Sequence, residues 1–263
     1  MDLGLKGKVA VVSAASKGLG KAVALGLAAE GVSVAICSRD QSSIDRTAEE
    51  IRGKTGSPVL PMAVDLTDGA AIKAFVQRAA DEFGKVDILF ANTGGPPPGQ
   101  FDNIDDAQWE RAFQLIHLSA VRLTREVLPH MRRQGGGRVV YSTSISVKQP
   151  IDNLLLSNSL RSAVLLMSKT LQIDVAKDNI LVNVVCPGRI YTERIQQLDQ
   201  AAAQRTGLSV EEVARRADAA IPLGRSGRPD EFADVVVYLC SERASYLSGT
   251  VIQVDGGAYR GIF

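Results

Sequence analysis

A chain of 263 residues, 45% hydrophobic and 22% charged, is long enough to bury a large core and too ordinary in composition for a disordered or fibrous class. Its net charge of +1 removes any electrostatic case for nucleic acid or an anionic membrane as partner. No stretch reaches the roughly 20 apolar residues that span a bilayer, so a soluble protein acting on a small-molecule substrate is expected.

In chain order, strands are predicted at Val9–Ser13, Val32–Ser38, Val59–Val64, Val86–Ala91, Arg138–Thr143, Ile180–Cys186 and Val251–Val254. These runs are rich in β-branched residues and mostly lack alternation, the pattern of strands buried on both faces. Helical patterns fall between them at Gly18–Glu30, Ser42–Thr55, Asp68–Phe83, Asp106–Arg133, Leu154–Ala176 and Pro229–Ser241. Strands separated by crossover helices run parallel. The expected fold is α/β, a doubly wound parallel sheet of about seven strands in a single domain over residues 1–263. Within it, residues 189–228 carry two further helical stretches, one near Glu193–Arg205 and one opened by Ser209-Val210-Glu211-Glu212, which reads as a capping box. Placed after a strand's carboxyl end, they are expected to form a helical substrate lid.

Two glycine-rich pieces sit at loops. Gly94-Gly95-Pro96-Pro97-Pro98-Gly99 follows a strand directly and is expected to wall the ligand crevice, whereas Gly135-Gly136-Gly137 reads as a helix stop. Three cysteines, Cys37, Cys186 and Cys240, have no metal-ligand spacing and no obvious pairing. With no apolar leader over Met1–Lys8, they suggest an unprocessed chain in a reducing cytoplasm and no metal site.

The most specific segment is Ser13-Ala14-Ala15-Ser16-Lys17-Gly18-Leu19-Gly20, lying between a strand and a helix. That context turns a weak glycine pattern into a dinucleotide turn, with backbone amides and a helix N-terminus presented to a pyrophosphate. Ala14 stands where such turns often carry a glycine, a modest departure if its backbone stays in a region open to L-residues. The second strand ends at Arg39, where an acidic residue would bind the 2′-hydroxyl of NAD; a cation there favours the 2′-phosphate of NADP(H). Lys17 adds a second positive charge.

With these motifs in order, and with Asp65, Asn92-Thr93-Gly94, Ser144, Pro187-Gly188 with Thr192, and Val254-Asp255-Gly256-Gly257 following at their places, the chain resembles the short-chain dehydrogenase/reductase family over nearly its whole length. The likeness is greatest to the β-ketoacyl-acyl carrier protein reductases, through Trp109, Arg122-Leu123, Gly224-Arg225 and Tyr246-Leu247-Ser248-Gly249. The resemblance implies that Ala14, Ser16, Lys17, Gly18, Leu19, Asp65 and Leu66 bind the coenzyme, the amides of Lys17 to Leu19 contacting the pyrophosphate and Asp65 hydrogen-bonding the adenine amino group. It further implies that Asn92 and Gly94 border the adenine ribose, and that Pro187, Gly188, Ile190 and Thr192 hold the nicotinamide. Asp65 reads equally as a helix cap ahead of Thr67-Asp68. A homo-oligomer, tetramer or dimer, is also implied.

The resemblance fails at the chemistry. The family pattern has a tyrosine and, four residues later, a lysine; counting back from Ser168-Lys169-Thr170-Leu171, these positions are Ser157 and Arg161. The family's catalytic asparagine falls on Ile116, so Ser144 alone of the four is kept. Ser157 and Arg161 still share a helix face. An unassisted serine is a far weaker acid than a phenol, however, and a guanidinium stabilises an anion without relaying protons. Tyr141 is expected to point to the opposite face from Ser142 and Ser144. Lys148, Asp152, Asn153 and Tyr191 are candidates to reach the pocket, and His117 is expected to be packed or at an interface. Two functions follow. One is an NADP(H)-dependent oxidoreductase of a carbonyl or alcohol, 3-oxoacyl reductase-like, using Ser144, Ser157 and Arg161; the alternative is a catalytically silent NADP(H)-binding protein with a regulatory role.

Overall fold

The computed structural model describes residues 1–262. Seven strands, β1 (Val9–Val12), β2 (Ser33–Ser38), β3 (Val59–Ala63), β4 (Ile88–Ala91), β5 (Gly137–Ser142), β6 (Ile180–Pro187) and β7 (Val251–Val254), form one sheet in the order β3-β2-β1-β4-β5-β6-β7. Every pairing is parallel. The expected doubly wound α/β sheet is therefore present, with its strand order reversing between β1 and β4. That reversal opens a crevice above the carboxyl ends of the strands.

The helices are α1 (Gly18–Ala29), α2 (Gln41–Thr55), α3 (Gly69–Phe83), α4 (Asp106–Ala112), α5 (Ser119–Arg133), α6 (Leu155–Val175), α7 (Glu193–Thr206), α8 (Val210–Ala219) and α9 (Pro229–Cys240). Successive strand residues alternate between two cores, which is why the strand sequences are continuously apolar. Val139 and Tyr141 of β5 pack with Phe75, Leu123 and Val164 beneath α3, α5 and α6. Val140 packs with Leu27, Ile51 and Phe232 beneath α1, α2 and α9. Phe90 meets Phe232 edge to face at 6.3 Å, tying the centre of the sheet to α9.

Two local expectations are corrected. The helical pattern over Asp106–Arg133 is not one regular helix, because a π-helical segment, Phe113–Leu118, separates α4 from α5. There the Ser119 hydroxyl donates to the Leu115 carbonyl at 2.5 Å, occupying the acceptor that an α-helical amide would use. The capping box at Ser209 is only half made. Ser209 Oγ accepts from the Glu212 amide at 3.1 Å, but the Glu212 carboxylate turns away to Arg215 and Arg216.

Candidate active site

The turn between β1 and α1 is shaped by backbone pressed on backbone. A Cβ on Gly20 would lie 2.2 Å from the Ala14 carbonyl oxygen, and one on Gly18, itself at φ +56°, would meet Thr192 at 3.5 Å. Ala14 is more than a modest departure: its φ of 50° is left-handed, a region that costs an L-residue about 1–2 kcal/mol. Thr47 Oγ1 fixes the turn from α2 by donating to the Ser16 carbonyl at 2.9 Å. Helices α2 and α3 are capped by the carboxylates of Asp40 and Asp68, but Lys17 gives α1 no side-chain cap and its first turn holds no acid. The leading amides of α1, Gly18 and Leu19 among them, therefore present an uncompensated positive helix end, the setting that suits a phosphate.

The crevice half over β1–β3 contains Arg39, which is exposed and forms no ion pair within 4 Å among the described residues. Its charge reaches Asp65, whose carboxyl is held below the usual range chiefly by the Thr67 amide, then by the Thr67 hydroxyl, Arg39 and Arg111. Asp65 Oδ1 accepts from both Thr67 groups, at 2.9 and 2.8 Å, and the helix cap offered as its other role belongs to Asp68. Leu66 beside it is buried. Lys17 does not join Arg39. Its ammonium points to α7, 2.5 Å from the Glu193 carboxylate, in an exposed pair worth about 0–1 kcal/mol.

At the strand-order reversal, Ser13 Oγ donates to the Asn92 carbonyl at 2.7 Å and accepts its amide at 2.9 Å, locking the end of β4 to the glycine turn. Gly94 opens on free space. The Pro-rich loop beyond it is pinned at both ends. The Gly99 amide donates to the Asn153 carbonyl at 2.8 Å, and Arg194 of α7 donates to the Pro96 carbonyl at 2.9 Å. The loop thus bridges the starts of α6 and α7 across the crevice.

Beyond β6, the Gly188 amide donates to Val254 at 2.9 Å, and a Cβ there would collide with Asp255. Ile190 is buried against Gly227, and Thr192 opens α7 beside Gly18. Arg189 binds Asp199 of α7 with two bonds of 2.9 and 2.6 Å and reaches Asp218 of α8 at 3.2 Å. Because Asp199 is buried, removing its partner strands a carboxylate; Arg189→Met is expected to cost about 3 kcal/mol. The readouts are a lowered melting temperature and faster proteolysis near Gly207, between the two helices; wild-type values for both would refute this role.

Ser157 and Arg161, one turn apart on α6, touch: Arg161 Nε donates to Ser157 Oγ at 3.2 Å, and Nη1 donates to the Ser142 carbonyl at 3.2 Å. Both residues are at least nine-tenths buried, at 8% and 9% exposure. No carboxylate answers Arg161 within 4 Å among the described residues. Burial, with Arg194 adding repulsion, pushes its guanidinium down to about 10. Since Ser157 accepts from Arg161, its own hydroxyl proton is free to point elsewhere. Ile116, Thr93, Ala91 and Val164 enclose a small cavity beside Arg161, and the buried Thr93 hydroxyl there has no partner. Ser144 opens the turn after β5, its Oγ accepting from the Ser146 amide at 3.1 Å.

The chain matches the family described as Enoyl-(Acyl carrier protein) reductase over residues 13–259. It is 32% identical to dehydrogenase/reductase SDR family member 4 of Caenorhabditis elegans, covering 96% of this chain and 95% of that protein. It is 31% identical to the 3-oxoacyl-[acyl-carrier-protein] reductase FabG of Thermotoga maritima, over 96% and 98%. The crystal structure of L-sorbose reductase from Gluconobacter frateurii, complexed with NADPH and L-sorbose, superposes with a TM-score of 0.95 at 34% identity, each chain covered completely. The chain belongs to the short-chain dehydrogenase/reductase family. It is an oxidoreductase of that family, of the kind that acts on carbonyl and alcohol groups.

Against that membership, the tyrosines of this short-chain dehydrogenase/reductase are instructive. Tyr141 is excluded by confinement, although α6, which carries Ser157 and Arg161, packs on its face of the sheet. Tyr141 is fully buried, its hydroxyl 2.6 Å from Thr124 Oγ1 and its pKa raised by burial. Tyr191 is exposed at the mouth, accepting from Gln196 at 3.0 Å. No tyrosine lines the Arg161 cavity among the described residues. His117 is packed as expected: its ring stacks on Phe113 at 5.4 Å, and burial lowers its pKa. Lys148 lines a separate groove with Lys169 and Tyr259, Asp152 is exposed, and Asn153, at φ 61°, serves the Pro-rich loop through its backbone. Sequence reasoning missed Thr93 and Arg194. The only signal of the first is its place inside Asn92-Thr93-Gly94, and the second lies one residue past Glu193, where the first lid helix is expected to begin.

Proposed function

We propose that this protein is an NADP(H)-dependent reductase or dehydrogenase of a small carbonyl or alcohol substrate, 3-oxoacyl reductase-like in fold, working through a non-standard active site. The observation that carries the reading is the contact of Ser157 with Arg161, buried together at the position where the family's proton-donating pair stands. The uncapped start of α1 fits a pyrophosphate held by amides of Ser16, Lys17, Gly18 and Leu19 at the turn formed by Ala14. In this reading Asp65 and Leu66 border the adenine, Asn92 and Gly94 its ribose, and Pro187, Gly188, Ile190 and Thr192 the nicotinamide. When bound, the coenzyme supplies the hydride. Ser144 and Ser157 orient the substrate oxygen by hydrogen bonds, Arg161 stabilises the negative charge that develops on it, and solvent supplies the final proton through the serine hydroxyls. Helices α7 and α8, anchored through Arg189, act as the substrate lid.

Preference for the phosphorylated coenzyme rests on Arg39, since Lys17 is engaged by Glu193. The NADPH held by the structurally similar L-sorbose reductase supports it. Arg39→Asp is expected to weaken NADP binding on the order of 100-fold while changing NAD affinity little, by trading a charge-assisted pair for repulsion. Fluorescence titration with both coenzymes checks it; equal losses would remove the assignment.

We further infer a homo-oligomer, dimer or tetramer, supported by the exposed Leu166 and Ile173 on α6 and Phe113 in the π-helical segment. A cytoplasmic setting is supported by three buried, unpaired cysteines. NADPH oxidation across ketoacyl, ketose and quinone substrates tests the central reading. Turnover by the wild type is expected. An inert wild type that gains activity on Ser157→Tyr with Arg161→Lys would instead mark a silent coenzyme-binding protein.

A further inference from the structure

Some partly buried cations of this protein are paired with carboxylates, whereas Arg122 and Arg138 bond only the main-chain carbonyls of Thr67 and Gly137. Arg189 has Asp199 and Asp218, and Lys21 has Glu50. Two arginines at the crevice also lack a carboxylate, and there the lack leaves charge facing the site. Arg161, on its floor, and Arg194, on α7 beside the Pro-rich loop, have no carboxylate within 4 Å among the described residues. They lie near enough for Arg194 to act on Arg161 through its charge. The nearby acids are already engaged. Glu193 holds Lys17, Asp199 and Asp218 hold Arg189, and Asp255 accepts from the Gly257 and Tyr259 amides at 2.9 and 2.8 Å.

The geometry holds both guanidiniums in place. Arg161 is fixed by Ser157 and Ser142 at the edge of a cavity where the buried Thr93 hydroxyl has no partner. Arg194 spends one N–H on the Pro96 carbonyl and packs so closely on the loop that a Cβ at Gly95 would come within 2.9 Å of its guanidinium. Its other N–H groups remain for a ligand. Two preorganised guanidiniums without counter-ions, next to an unsatisfied hydroxyl, form a site for a planar oxyanion.

Resting on the proposed reductase function, we infer that the substrate is an oxo acid whose carboxylate is received by Arg194 while its keto oxygen lies at Ser157 and Arg161. Its reduction adds one hydride to the carbonyl carbon and one proton to the oxygen. NADPH becomes NADP, and the carboxylate is unchanged in the hydroxy acid product.

The test uses pyruvate, acetoacetate and levulinate, each paired with its methyl ester, on the full-length protein. In NADPH oxidation, the preferred acid is expected to exceed its ester in kcat/KM by about 100-fold, the scale of one charge-assisted bidentate contact. Arg194→Leu is expected to collapse that ratio at least about tenfold and Arg194→Lys to keep only part of it, because an ammonium preserves the charge but not the bidentate fork. A merely structural role for Arg194 would lower both substrates together and leave the ratio unmoved. Melting temperature is read in parallel at millimolar acid or ester, with and without NADP. A rise with an acid, absent with its ester and lost in Arg194→Leu, supports the assignment even if no turnover occurs. Equal response to acid and ester, a ratio insensitive to Arg194→Leu, or no response to any of the three acids overturns it. Failure of the reductase reading itself would show separately, as absence of NADP binding or of NADPH oxidation with any carbonyl compound, acid, ester, ketose or quinone.

Discussion

An Arg161→Met protein is expected to melt higher than the wild type and to turn substrate over about 100- to 1000-fold more slowly, the usual loss on removing one donor to a developing oxyanion. The stability half follows from burial. Arg161 is 9% exposed, has no carboxylate partner among the described residues, and burial pushes its guanidinium down to about 10 from an ordinary 12.5. That displacement corresponds to a penalty of about 3 kcal/mol for keeping the charge inside. For a base whose folded pKa is depressed, the penalty is fully present below the folded pKa and is relieved only as pH rises through about 10 towards 12.5. The difference between variant and wild type should therefore be flat across neutral pH. Against the gain, the Ser142 carbonyl and Ser157 hydroxyl lose their donor, each loss costing about 1 kcal/mol. A net gain of about 1 kcal/mol, or about 2–4 °C in Tm, remains. Calorimetry and steady-state NADPH oxidation check the two halves. A lower Tm with native circular dichroism would show that Arg161 is compensated, and an undiminished kcat would remove it from the chemistry.

What could be read from the sequence divides along a physical line. Strands buried on both faces, such as Val9–Val12 and Ile180–Pro187, declare themselves because each residue is dictated by its own burial. The glycine turn is legible because Gly18 and Gly20 answer local demands, a left-handed φ of 56° at Gly18 and the Ala14 carbonyl a few residues before Gly20. Ser157 and Arg161 could be placed on one helix face because four residues make one turn, and they meet there. The rest depended on partners distant in sequence. Nothing near Lys17 foretells that Glu193 binds it, and nothing near Arg194 foretells that it lies against Pro96 without a counter-ion. The π-helical segment was hidden because an apolar stripe tolerates one extra residue per turn without losing its face. The left-handed Ala14 was hidden because alanine carries no sign of a backbone demand that glycine would announce.

Gly20→Ala should be the most damaging small substitution in the molecule. In an unconstrained helix the change would add about 1 kcal/mol of stability. Here the new methyl carbon would sit 2.2 Å from the Ala14 carbonyl oxygen and 2.9 Å from its carbon, atoms of the main chain that cannot rotate away. Relief requires α1 to lift from the turn. That loosens Val23, Ala24 and Leu27 from their core and moves the leading amides that face the crevice. The expected loss is about 2–4 kcal/mol in stability, at the upper end for overpacking, with NADP affinity reduced on the order of 100-fold. Gly53→Ala is the matched control: it lies within α2 with nothing near its Cβ position and should raise stability by about 0.5–1 kcal/mol. Adding Ala14→Gly to Gly20→Ala should recover part of the loss. A glycine at position 14 lets the carbonyl swing aside from the left-handed geometry that now points it at residue 20. Denaturant melts and coenzyme titrations of the four proteins measure each arm. Gly20→Ala with wild-type stability and affinity, or a double variant no better than the single one, would show that the close packing of this turn does not govern the site.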